Sequence, residues 1–146
     1  MRRRIFDSRF LIFDWGFPCV DWPMTSKLPL RIAGLAGALA VALGAFGAHS
    51  LRATLEMHGT LAVWQTAASY HLAHAIVLLV LATRNSLARV SFTLFGSGII
   101  IFSGSLYLLA VTNLRWLGAI TPVGGGLLLA GWLALVFCPS SANAAS

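Results

Sequence analysis

Polar positions in this chain fall into short breaks between long apolar tracts. Four stretches carry no charge: 32–51 (20 residues), 57–83 (27), 90–114 (25) and 116–146 (31). Each reaches the roughly 20 residues that cross about 30 Å of hydrocarbon at 1.5 Å per residue. The breaks read HSLRATLEMHG (His49 to Gly59), RNSLAR (Arg84 to Arg89) and TNLRW (Thr112 to Trp116). This pattern predicts an all-α, integral membrane, antiparallel four-helix bundle with helices near 30–48, 61–83, 90–111 and 117–137. Arg52 and Glu56, four apart between the first two spans, predict a solvated pair on a short extra helix.

Composition narrows the chemistry. The 146 residues are 58% apolar and 10% charged, with a mean hydropathy of +0.84, whereas soluble domains carry about 25% charge. After Met24 the only carboxylate is Glu56. Chemistry that needs paired acids or an Asp/Glu metal cage therefore has almost nothing to use. Ten Lys and Arg against four Asp and Glu give a net charge of +6, but seven of these fourteen charges fall in the first 21 residues, and what remains builds no basic face for nucleic acid. Phosphate-loop and serine-hydrolase signatures are absent from the sequence, so an enzyme is not expected. Four histidines invite a haem or metal reading, but no H-E-x-x-H, C-x-x-C-H or carboxylate co-ligand accompanies them, and no cofactor is expected.

Positive charge sets the expected orientation, because Lys and Arg near helix ends stay on the cytoplasmic side. An N-in arrangement puts Arg2, Arg3, Arg4, Arg9, Lys27, Arg31, Arg84 and Arg89 inside and only Arg52 and Arg115 outside. The expected location is the inner (plasma) membrane with both termini cytoplasmic. Residues 1–23 differ from the rest, with a stripe of Phe6, Phe10, Phe13 and Phe17 beside Arg2 to Arg4. Two readings stand for them: a segment lying along the membrane surface, or an upstream extension before a true start at Met24. Residues 24–146 then form one four-helix transmembrane domain. Cys19 and Cys138 form no C-x-x-C pattern and predict neither disulfide frame nor zinc site.

Small residues recur every fourth position in the first span, at Ala36, Ala40, Gly44 and Ala48, with a second row at Gly34, Ala38 and Ala42. A similar row in the last span comprises Gly126, Ala130 and Ala134. Such rows let helices approach closely in lipid, and packing within one chain is favoured over packing against a partner helix or a second copy. Pro122 followed by Gly124 and Gly125 predicts a kink or local unwinding in the fourth helix. In the second span Gln65, Thr66, Ser69, Tyr70, His71 and His74 interrupt the apolar run. His74 and His71 stand about 15 and 20 Å from the Arg84 boundary. An imidazole at that depth either bonds a neighbouring helix and fixes register or serves a ligand or proton.

The string LPLRIAGLAGALAVALGAFGAHSL, then WQTAASYHLAH, FSGSLY and ITPVGGGLLLAGW, resembles the membrane family called domain of unknown function 423. The motifs fall on Gly44 to His49, on Trp64, Thr66, Ala67, Tyr70 and His74, on Phe102 to Tyr107, and on Thr121 to Gly125 with Gly131 and Trp132. The resemblance covers residues 28 to about 137 and implies a small four-helix inner-membrane protein without an assigned activity. It leaves out residues 1–23, which favours Met24 as the start. With N-in topology the motifs gather in the outer half of the bundle. The expectation is a polar cluster there, made by His49, Gln65, Tyr70, His74, Ser105, Tyr107 and Thr121, that binds a lipid headgroup or a partner helix. The alternative is a small-solute transporter or channel acting as an oligomer, with the Pro122 kink and His74 as moving and proton-carrying parts. A haem-binding redox protein is the third reading.

Overall fold

The computed structural model describes residues 27–83 and 88–137. Residues 1–23, Cys19, Cys138 and the turn arginine Arg84 lie outside the described residues. The elements run α1 (Leu28–Ala48), α2 (Arg52–His58), α3 (Leu61–Ala82), α4 (Ala88–Thr112), a short 3-10 turn (Arg115–Ala119) and α5 (Thr121–Phe137). No strand occurs among the described residues. Four spans, one of them the 3-10 turn continued into α5, are long and apolar enough to cross a membrane. The expected all-α membrane bundle is therefore the observed one, and the Arg52–Glu56 pair sits on the short helix α2, Nε donating to Oε1 at 2.8 Å.

The helix ends follow from particular residues. Pro29 lies in the first turn of α1, where its missing N–H costs no intrahelical bond. Gly59 closes α2 at φ 67°, a left-handed position that glycine adopts without steric cost. Asn113 takes the same role after α4 at φ 57°, with its N–H on the Leu109 carbonyl at 2.8 Å. Pro122 sits in the first turn of α5, with the 3-10 turn before it. This corrects the expected helix from 117. The irregular backbone lies ahead of Pro122, and Gly124 and Gly125 continue as regular helix instead of bending it.

Packing follows chain order: α1 lies against α3, α3 against α4 and α4 against α5, while α1 makes no close backbone approach to α5 among the described residues. Short connections make this antiparallel neighbour packing natural. One buried cluster, including Leu78, Leu81, Phe95, Ile99 and Leu128, fills the half away from α2. A second, Leu55, Trp64 and Ala110, fills the α2 end.

Small residues do form the contacts, on a face rotated from the expected rows. Ala33, Ala40 and Gly47 of α1 are buried, Ala36 and Gly44 are half-buried, and Ala48 is exposed together with Gly34, Ala38 and Ala42. A strict fourfold step drifts around a helix of 3.6 residues per turn, so the contact stripe alternates steps of three and four. In α5 the buried positions are Gly124, Leu128 and Gly131, whereas Gly126 is exposed and Ala130 and Ala134 are half-buried.

Close approach explains two glycines. A Cβ on Gly47 would collide with the Trp64 ring, and one on Gly124 would collide with the backbone of Phe102. Gly47 of α1 and Gly124 of α5 therefore mark close approaches to α3 and α4.

Candidate functional site

The polar residues of the spans serve first as ties between helices. Trp64 donates its indole N–H to the Leu43 carbonyl at 3.0 Å, joining α3 to α1. Thr60, at the start of α3, donates its hydroxyl to the Ala110 carbonyl of α4 at 2.7 Å, and His58 Nδ1 lies 3.3 Å from the same oxygen. Ser105 of α4 and Thr121 of α5 share a hydroxyl–hydroxyl bond at 2.9 Å. Trp132 of α5 donates its indole N–H to His74 Nε2 at 3.3 Å, and His74 Nδ1 meets the Tyr70 carbonyl at 2.8 Å. The indole is a donor only, so Nε2 accepts and Nδ1–H donates: His74 is neutral and both nitrogens are used. In lipid such bonds matter because no water competes for the groups.

The expected seven-residue cluster resolves into separate arrangements. Ser105 meets Thr121. Tyr70, half exposed, stacks on His74 at 5.9 Å between ring centres and leans on Phe102 at 4.8 Å. Tyr107 packs on Trp64 at 4.6 Å and on His71 at 6.2 Å. His49 and Gln65 are exposed and stand apart from all of these. The physical reason is helix phase, since Gln65 and His74 are nine residues and therefore about 180° apart. A single pocket made by all seven is corrected to three contacts plus two exposed residues. All but His74 belong to the half of the bundle that carries α2, and His74 stands near the middle of α3.

The structure adds a groove that the sequence did not reveal. It has a volume of about 330 Å³ and lies at the α2 end between α1 and α3. Gly44, Gly47 and Trp64 give it apolar surface, and Arg52, Gln65 and Ser69 give it polar groups. Gln65 and Ser69, four apart on the exposed side of α3, are neighbours on one face. Arg52 uses only its Nε on Glu56 and keeps its other N–H groups for a further acceptor. The separate cues, Gly44 and Gly47 within GAFGAH and Trp64-Gln65 in the next span, were visible in the sequence; their adjacency required the fold. No group of three His, Cys, Asp or Glu side chains able to hold a metal occurs among the described residues.

Four apolar spans joined by short connections and tied by single hydrogen bonds define a small multi-pass membrane protein. The family model described as protein of unknown function (DUF423) matches residues 43–125, and the chain belongs to that family. It is 42% identical over 119 residues to the UPF0382 inner membrane protein YgdD of Escherichia coli (strain K12), covering 75% of this chain and 86% of that protein. It is 39% identical over 117 residues to the UPF0382 membrane protein YwdK of Bacillus subtilis (strain 168), with 75% and 94% covered. A UPF0382 membrane protein of Staphylococcus aureus (strain bovine RF122 / ET3-1) is 39% identical over 114 residues, with 75% and 93% covered. No solved structure matches the chain.

Proposed function

We propose that this is a non-enzymatic inner-membrane protein that holds the phosphate-bearing headgroup of a phospholipid in the groove between α1 and α3. The observation that carries the reading is the make-up of that groove: apolar glycine and tryptophan surface beside a guanidinium, an amide and a hydroxyl at the end of the spans. A phospholipid presents the matching sequence of parts, with acyl and glycerol carbons below an oxyanion. Arg52 supplies charge-assisted donors to the phosphate, and Gln65 and Ser69 add neutral ones. With the N-in orientation that the charge bias favours, this end faces the outer leaflet.

Transport through His74 is the weaker reading. Its two nitrogens are engaged by Tyr70 and Trp132, so carrying a proton there requires breaking the link to α5. The lipid reading is tested by thermal unfolding of the purified protein with phosphatidylethanolamine and with diacylglycerol of the same acyl chains. The phospholipid is expected to raise the melting temperature more, and the double variant Arg52→Ala/Gln65→Ala to lose that difference. Equal stabilisation by the two lipids, or a difference that survives in the variant, contradicts the proposal.

A further inference from the structure

Most buried polar groups of the spans have partners; three atoms do not. His71 Nδ1, Ser103 Oγ and Tyr107 Oη are enclosed and without a hydrogen bond among the described residues. His71 is 7% exposed and Ser103 1%. The three residues belong to one place. The His71 ring meets the Tyr107 ring edge-on at 6.2 Å, and Ser103 and Tyr107 are one turn apart on the same face of α4. Helical side chains lean toward their own N-terminus, so antiparallel α3 and α4 direct His71 and Tyr107 toward each other.

Isolated buried polar atoms are rare because each loses its water without compensation. Three around one junction form a complementary set: an imidazole nitrogen and two hydroxyls that can each donate or accept. No carboxylate or cation stands among them, so the set suits a small neutral partner. We propose that His71, Ser103 and Tyr107 form a buried hydration site for one water molecule between α3 and α4. The water bonds His71 Nδ1, the Tyr107 hydroxyl and Ser103 Oγ. About three bonds of this kind are what buried water ordinarily makes. His74 differs by having no free nitrogen.

The test uses the full chain in phospholipid bilayers with 15N-labelled histidine, reading magnetisation transfer from water to the imidazole rings by solid-state NMR, with His71→Gln assigning the signals. Transfer to His71 is expected to exceed transfer to His74 several-fold and to fall to the His74 level in Ser103→Ala/Tyr107→Phe. Each of those single substitutions is expected to lower the melting temperature by a few degrees, as loss of one bond does. Transfer to His71 no greater than to His74 overturns the proposal, as does a melting temperature that is unchanged or raised in both single variants. Neither readout depends on lipid in the groove, so this site stands or falls separately from the headgroup proposal.

Discussion

At the scale of single residues, the two histidines of α3 divide into a tie and a hydration site. The sequence marks both as deep imidazoles but cannot assign them, because the partner that engages His74 is Trp132, 58 residues away. Fixing helix register was one of the two roles open to such a residue, and the Trp132 bond is the geometry that role requires. Trp132→Phe keeps a ring against Phe95, which lies 5.3 Å away, and removes only the donor. Its expected cost is about 0.6 to 1.7 kcal/mol, the range for single interhelical bonds in membranes. His74→Ala is expected to cost more, because ring packing is lost as well. The double variant should cost less than the sum of the two, read from unfolding in detergent; strictly additive losses would show that the two residues do not interact.

At the scale of helices, the spans were legible because charge is confined to their connections, and α1 and α3 begin and end within two residues of expectation. The start of α5 was not. An apolar tract gives no sign of where a 3-10 turn gives way to helix, and Pro122 reads equally well as a kink or as a first-turn residue. The packing face was also hidden, since α5 is apolar nearly all round and lipid rewards no particular side. Two neighbouring glycines now test that face. Gly124→Ala places a methyl group against the Phe102 backbone, which cannot swing aside, and is expected to destabilise by about 1 to 3 kcal/mol. Gly126→Ala meets open space and is expected to be neutral or to stabilise by up to about 1 kcal/mol through lower chain entropy in the unfolded state. Equal effects in thermal unfolding would mean that α5 packs by another face.

At the scale of the molecule, an even number of spans puts the start of α1 and the end of α5 on one side of the membrane, and we propose from the charge bias that this side is cytoplasmic. Reporter fusions at either terminus are expected to give cytoplasmic signals, and a cysteine at His49, exposed at the α2 end, to react with a membrane-impermeant thiol reagent added outside. Labelling at His49 only after the membrane is broken would reverse the orientation and put the groove in the inner leaflet. The sequence located the polar motifs in one half of the bundle, and the fold shows why they do not meet in one pocket: several act as separate ties. What they leave is a groove between α1 and α3, formed where Gly47 lets Trp64 approach and Gly44 leaves open space. Native mass spectrometry of the protein released from phospholipid nanodiscs tests its occupant most directly. Gly44→Leu puts a side chain at the groove, starting from a Cβ position that meets no neighbour within 4 Å. The wild-type protein is expected to retain one phospholipid that Gly44→Leu and Arg52→Ala both lose, whereas no retained lipid, or equal retention by all three proteins, would contradict the assignment.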